Sequence, residues 1–405
     1  MKVLLVGSGG REHAIGWKLA SSPRVRELVS LPGNPGLAGL GPVIEGIDPT
    51  DAGAVAAMAA AQGFDLVVVG PEAPLAAGVT DAISRYGIPV FGPTRAAAKL
   101  ESSKSHAKDV MLRARVPTGW AVTVTDLDEA RRHVESSDGP FVVKADGLAA
   151  GKGVLVTDSR ADAVAWAERW LPSGPVVIEE YLEGPEVSVF AVCTDAGARP
   201  LEPARDHKRL GDGDTGPNTG GMGAYSPVSD LPEGLVDDVM RRVIEPTLAL
   251  MAEDGTPFRG FLYAGLILTA DGPKVLEFNV RLGDPETQTV LPRLANDLVD
   301  VLEGAEPEWS DVATVTVVLA ARGYPESPET GAEIRGLDAV GDDALVFHAG
   351  TRREGGKVVV AGGRVLAVVG SGASIAGARE RAYAAADRIS WPGKVFRTDI
   401  GLRAD

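Results

Sequence analysis

With a single cysteine in 405 residues, Cys193, the chain cannot build an intrachain disulfide framework. The apolar, strand-like setting of that residue fits a buried, inert thiol in a reducing compartment. Basic residues are in deficit: 40 Lys and Arg against 56 Asp and Glu leave a formal net charge of −16. That balance disfavours nucleic acid and acidic membranes as partners, so a phosphorylated ligand must be held by local donors, cations or a metal. Long apolar runs are missing too. Val315–Ala321 falls far below the roughly 20 residues that span a bilayer, and Val3–Val6 is too short for the apolar core of a signal peptide. A cytoplasmic location is expected. No G-x-x-x-x-G-K-[ST] loop, no zinc-spaced His/Cys/Asp set and no G-x-S-x-G elbow occurs, which disfavours P-loop NTPases, zinc enzymes and covalent catalysis by a side chain. Repeats and low-complexity tracts are also absent.

What is present is an ordinary globular balance, 44% apolar and 24% charged, with 50 glycines that point to many turns and close ligand approaches. At roughly 150 residues per domain, two to four domains are expected. Residues 1–100 alternate strand-like and helical runs: Val3–Val6, Arg11–Ala20, Glu27–Leu31, Asp51–Gln62, Leu66–Val69, Ala76–Tyr86 and Pro89–Phe91. This βαβαβαβ order predicts a parallel α/β domain. Its first turn, GSGGREHA, could seat an anion at a helix start. A dinucleotide fits poorly, because Glu12 replaces the third glycine of G-x-G-x-x-G and LPGNPG, Leu31–Gly36, lacks the ribose-binding acid. A single phosphate fits better.

Residues 101–310 predict an α+β core with a mobile flap at about 118–186, hinged near Pro117 and Glu183–Pro185. Its strands are expected at Val187–Cys193, Gly260–Thr269 and Lys274–Phe278, with a helix over Val236–Ala252. Residues 311–405 predict a separate α+β cap, with a hairpin at Gly362–Gly363 between two β-rich runs and a closing helix over Ile375–Ser390.

Three segments carry chemistry. In VVKADGLAAGKGV, Val142–Val154, a β-branched strand delivers Lys144 into a loop of Gly147, Gly151 and Gly153, where convergent N–H groups and Lys152 suit phosphate. Alone, this could equally be a flexible hairpin with two solvated lysines. In KVLEFNVRLGDPETQ, Lys274–Gln288, period two puts Glu277 and Asn279 on one strand face. A carboxylate and an amide oxygen suit Mg²⁺, which completes its shell with water and phosphate; the competing reading is a salt-bridged strand end. The loop Ala204–Pro227 crowds Asp206, His207, Lys208, Arg209, Asp212 and Asp214 among glycines. A run of that length is either disordered or wraps a polar ligand.

Taken together, the strand lysine with its glycine loop, EEYLEGPEVS, and EFN followed by R-x-G-D-P-E resemble the ATP-grasp ligases. With GSGGREH and DHK…GDTGPNTGGMGAY the resemblance narrows, over essentially the whole chain, to the glycinamide ribonucleotide synthetase family. It implies a parallel N-terminal α/β domain, a two-part ATP-grasp core with a mobile flap, and a C-terminal α+β cap. It also implies that ATP phosphorylates the glycine carboxylate and that the amine of 5-phosphoribosylamine displaces the phosphate.

Carried over by motif, Glu277 and Asn279 hold Mg²⁺ or Mn²⁺, and Lys104, Lys144 and Gly151 meet the phosphates. Glu179, Glu180 and Leu182 read adenine, and Glu186 accepts from ribose. Arg281 grips the glycine carboxylate and Asp206 its ammonium, with Lys208 and Gly283 beside them; Arg281, Lys144 and Asp206 form the catalytic set. Gly9, Gly10, Asn34, Gly36 and Glu72 surround the phosphoribosylamine; plain strand-to-helix turns would explain the loops Leu31–Gly36 and Gly70–Gly78 equally. A monomer is expected. One departure is that the strand before Glu277, Phe261–Ala270, contributes no further acid, which leaves the number of metal ions open. A carboxylase of the same superfamily and a non-catalytic nucleotide-binding module are the other readings.

Overall fold

The computed structural model describes residues 1–148 and 153–402. Strands β1 (Lys2–Gly7), β2 (Glu27–Pro32), β3 (Leu66–Val69) and β4 (Val90–Phe91) form a parallel sheet in the order β2-β1-β3-β4. Val3–Val6 and β3 are buried throughout, as apolar runs covered by helices on both faces must be. Helices α1 (Gly10–Ala20), α2 (Ala52–Gln62), α3 (Glu72–Ala77) and α4 (Val79–Ser84) lie along the connections. The parallel α/β start is as expected. The single helix expected over Ala76–Tyr86 is instead two, because Gly78 takes a left-handed conformation (φ +87) that closes α3 before α4 begins.

Helices α5 (Lys99–Ser102) and α6 (Lys104–Arg113) lead into a second, antiparallel sheet of β5 (Ala121–Val124), β6 (Phe141–Ala145), β7 (Val154–Thr157) and β8 (Val176–Glu180), ordered β5-β8-β6-β7. Helices α7 (Leu127–Ser136) and α8 (Arg160–Trp170) cover one face. Ala130, Val134, Phe141, Val143, Ala163 and Ile178 give this layer a core of its own.

The largest sheet collects β9 (Glu186–Thr194), β10 (Gly197–Asp206), β13 (Gly223–Ser226), β14 (Gly260–Thr269), β15 (Gly272–Asn279), β16 (Ala313–Ala320), β17 (Leu345–His348) and β20 (Arg364–Gly372) in the order β15-β14-β9-β10-β13-β16-β20-β17. Two hairpins stand outside it: β11 (Arg209–Gly211) with β12 (Thr215–Asn218), and β18 (Thr351–Glu354) with β19 (Lys357–Val360). The C-terminal strands thus continue the central sheet, with β16 pairing β13 from Gly223↔Val317 to Ser226↔Thr314. They still enclose their own core beneath the helix Ile375–Arg388.

The hairpin expected at Gly362–Gly363 falls one glycine pair earlier. Residues Gly355 and Gly356, at φ +54 and +81, make the β18–β19 turn, whereas a side chain at Gly363 would strike the Tyr324 ring. The helix expected over Val236–Ala252 contains a π turn at Met240–Ile244 between Leu235–Val239 and Glu245–Glu253. Cys193 is buried, and burial pushes its thiol up to about 12. Among the described residues, no helix is long and apolar enough to cross a membrane.

Two histidines join the ends of the chain. The His348 N–H donates to His13 Nδ1 at 2.8 Å, and the Asn34 amide donates to the His348 carbonyl at 2.8 Å. Burial, helped by His348, pushes His13 from 6.5 down to about 3. Below pH 6.5 the unfolded chain therefore binds a proton that the folded chain refuses, and stability falls as the pH drops towards 3. Between pH 6.5 and 5 this residue alone is expected to remove about 2 kcal/mol. Denaturant titrations of His13→Gln should show a flatter acid limb than the parent; parallel limbs would refute the assignment.

Candidate active site

The register of β15 against β14 shifts between Gly265↔Glu277 and Leu266↔Val275, which leaves Leu276 as an extra residue. Such a bulge re-aims its neighbours: the Leu276 carbonyl accepts from Lys144 Nζ at 3.4 Å. Beyond it, Glu277 is solvent-accessible, although surrounding protein makes loss of hydration the largest influence on its carboxyl. The carboxylate is thus open to solvent while basic groups from several elements act on it. Burial opposes its charge, yet Lys144, Lys208, Arg281 and Lys104 together hold it below the usual carboxylate range. Asn279, two residues on, is buried. Neither side chain has a hydrogen bond or ion pair among the described residues. A carboxylate and an amide oxygen without protein partners suit a hard cation that draws its other ligands from water and phosphate. No group of three His, Cys, Asp or Glu among the described residues could cage a metal unaided.

Facing this strand is the lysine layer. The end of β6 presents Lys144, whose Nζ lies 3.0 Å from Glu179 on β8; Lys108 on α6 meets the same carboxylate at 3.1 Å. Lys104 opens α6 behind the Ser103 cap, its N–H held by Asp146 at 2.5 Å and its Nζ by the Gly147 carbonyl at 2.7 Å. Burial, above all, lowers the Lys104 ammonium from its usual value. Glu180 accepts from the Trp120 N–H at 3.0 Å, and Leu182 follows the end of β8. Gly151, expected to meet phosphate, lies outside the described residues, as does Lys152.

At the exit of β15, Arg281 Nε donates to Glu72 at 3.2 Å, while Nη2 lies 2.7 Å from Glu101. Burial pushes the Glu101 carboxyl up to about 7, with Glu72 acting in the same direction and Arg281 opposing. Glu72 moves the other way: burial would raise it, but Arg281 and Arg11 pull it down to about 2. Across the cleft, Lys208 Nζ bridges Glu186 at 2.6 Å and Asp206 at 3.2 Å. Beside them Glu286 accepts from Ser188 Oγ at 3.2 Å. Burial and then Asp206 push its carboxyl up to about 7. A side chain at Gly283 would collide with that carboxylate, so the glycine leaves room for Glu286.

The amino-terminal residues are engaged differently. The Gly9 N–H donates to Glu12 at 2.7 Å, and a side chain at Gly10 would strike Gln288. The Asn34 amide donates to the Ser8 and His348 carbonyls, each at 2.8 Å, while its oxygen accepts from the Gly36 and Leu37 N–H groups. A side chain at Gly36 would overlap the His13 ring. Glu72, in contrast, faces Arg281 directly. Glu101, Glu286 and Lys108 were not anticipated as site residues. Glu286 stood inside the GDPE signature, but nothing in the local pattern marked Glu101 or Lys108.

A cleft between a lysine-bearing antiparallel layer and a strand carrying a carboxylate beside an amide defines the ATP-grasp class. Sequence models of phosphoribosylglycinamide synthetase match most of the chain: its N domain over residues 1–101, its ATP-grasp (A) domain over 102–287 and its C domain over 314–403. The chain belongs to the phosphoribosylglycinamide synthetase family. A Leifsonia xyli relative named phosphoribosylamine–glycine ligase is 52% identical over 417 residues, covering 100% of both chains. One of the same name from Streptomyces coelicolor is 51% identical over 417 residues, covering 100% of this chain and 99% of its own. The crystal structure of phosphoribosylamine–glycine ligase from Thermotoga maritima superposes with a TM-score of 0.86 at 35% identity, covering 98% of this chain and 100% of that one. The biotin carboxylase domain of a Hydrogenobacter thermophilus 2-oxoglutarate carboxylase, at 17% identity, has a TM-score of 0.74 over 97% of this chain and 91% of its own. That likeness extends to the fold alone.

Proposed function

We propose that this chain joins glycine to 5-phosphoribosylamine at the expense of ATP, giving glycinamide ribonucleotide, ADP and phosphate in purine biosynthesis. The observation that carries the site reading is the unpartnered pair Glu277 and Asn279, set opposite Lys144 and Lys104 with Arg281 at the strand exit. A glycine carboxylate oxygen attacks the γ-phosphorus and ADP departs. The amine of phosphoribosylamine then attacks the acyl carbon, loses a proton, and expels phosphate that keeps one former carboxylate oxygen.

Approach of a carboxylate to a triphosphate is the hard step, since two like charges at 4 Å repel by about 4 kcal/mol at an effective dielectric near 20. Lys104 and Lys144 offset that repulsion at the phosphates. Mg²⁺ or Mn²⁺ held by Glu277 and Asn279 would supply further charge neutralisation there. Arg281 offers its planar fork to the glycine carboxylate, and Asp206 meets the ammonium with Lys208 and Gly283 close by. The end of β8, Glu179 to Leu182, borders the adenine, and Glu186 turns from Lys208 to the ribose. Gly9, Gly10, Asn34 and Gly36 shape the phosphoribosylamine site with Glu72.

The division of labour is then 1–100 for phosphoribosylamine, 101–310 for ATP and glycine with a moving flap near 118–186, and 311–405 as a cap. The reading includes a monomer, and the buried Cys193 thiol suits the cytoplasm. Glycine carrying ¹⁸O in its carboxylate is expected to pass one label to each phosphate released. Unlabelled phosphate would exclude the acyl-phosphate route, and release that needs bicarbonate instead of glycine would exclude the substrate.

A further inference from the structure

We propose that Glu101 is a positioning residue for Arg281, fixing the guanidinium so that its free edge meets the substrate carboxylate; this rests on the reading of Arg281 given above. The Glu101 carboxylate is tied at both oxygens. Oε1 lies 2.7 Å from Arg281 Nη2, and Oε2 accepts the Val280 N–H at 2.7 Å. Binding two consecutive residues at the strand exit, it cannot pivot without losing one of them. The other guanidinium nitrogens are engaged as well, Nε by Glu72 at 3.2 Å and Nη1 by the Leu282 carbonyl at 3.3 Å. A guanidinium has two N–H groups on each terminal nitrogen. Nη2 meets Glu101 as an ion pair and Nη1 gives one N–H to Leu282, so the terminal nitrogens still carry N–H groups that a carboxylate can accept.

The two acidic partners differ in their surroundings. Glu101's side chain is 7% exposed and Glu72's is 33%. Water reaches Glu72, so that contact can be exchanged when substrate enters, while Glu101 is the sheltered anchor. Glu101 also shares a frame with the nucleotide site. It lies on α5, and Ser103, which ends α5, caps α6 at the residue before Lys104. Arg281 and Lys104 are thus set by one short stretch of backbone, which fixes the carboxylate grip relative to the phosphate grip. A purely structural ion pair would tie the linker to the sheet without touching glycine.

The test is steady-state kinetics of Glu101→Gln, Arg281→Lys and the double variant, with glycine, ATP and phosphoribosylamine varied in turn. Glu101→Gln is expected to raise the glycine KM about tenfold, the loss of one charge-assisted contact, with the ATP KM within about twofold of the parent. In the Arg281→Lys background the same change should add little, because the group being positioned has gone. A full additional tenfold there would overturn the proposal. So would an unchanged glycine KM with a lowered melting temperature, which describes a structural brace. If Arg281→Lys itself leaves the glycine KM alone, the role of Arg281 falls and Glu101 with it; if only Glu101→Gln is silent, Glu101 falls alone. Should Glu101→Gln not fold, Glu101→Asp serves in its place: it keeps the charge but shortens the reach, and an unmoved glycine KM would again overturn the proposal.

Discussion

Glu277→Gln is expected to lower kcat by about 10²–10³, the equivalent of roughly 3–4 kcal/mol of transition-state charge stabilisation, while leaving the fold intact. The change is isosteric, and Glu277 is accessible with no protein partner among the described residues, so the amide strands no buried group. What it removes is the only formal charge on the pair Glu277 and Asn279. With no cage of three His, Cys, Asp or Glu among the described residues, a divalent cation depends heavily on that charge. The electrostatics give a second, opposite readout. Lys144, Lys208, Arg281 and Lys104 all act on Glu277, so its neutralisation leaves the cleft more positive, and metal-free ATP should bind at least as tightly as before. Turnover measured over a magnesium titration, with calorimetry of metal-free ATP beside it, checks both halves. Parental turnover with unaltered metal dependence would remove Glu277 from the metal site.

How much of this arrangement was legible beforehand depended on whether the cause was local. Strand alternation alone predicts that Glu277 and Asn279 share a face, whereas Gly151 and Lys152 of the expected glycine loop lie outside the described residues. The bulge at Leu276 was not legible, since it exists only in the register of β15 against β14. Glu101 was invisible for a related reason. It stands 179 positions before the Val280 N–H that it accepts, in a stretch with no motif of its own. Gly283 could be noticed as a glycine, but the Glu286 carboxylate that excludes any larger residue comes from the next turn of chain. The loops carrying Asn34 and Gly36 could be read as substrate contacts or as plain turns. In the structure the Asn34 amide secures Ser8 and His348 and Gly36 lies against His13, contacts that tie these loops to the carboxyl-terminal strands. The misplaced hairpin has the same origin: two glycine pairs stand seven residues apart, and only the packing of Tyr324 against Gly363 tells which one turns.

Lys144→Met tests the other wall of the cleft and is expected to lower kcat by about 10²–10³ with a raised ATP KM. Methionine keeps the length and most of the apolar stem, so β6 should keep its pairing with β7 and β8, where Lys144 stands opposite Val154 and Val177. Removing one member of a buried ion pair ordinarily costs about 3–5 kcal/mol, because the other charge is left alone. Glu179 would not be left alone. Lys108 reaches the same carboxylate at 3.1 Å, against 3.0 Å for Lys144, and remains in place. The stability loss should therefore be well below that range, while the charge that Lys144 is proposed to bring to the phosphates is not replaced: Lys108 is committed to Glu179 and to Thr118 at 2.9 Å. The structure thus separates the two roles a buried lysine can play. A variant that melts several degrees lower but turns over at the parental rate would show that Lys144 only neutralises Glu179; one that melts near the parent and fails to transfer phosphate would place it on the nucleotide.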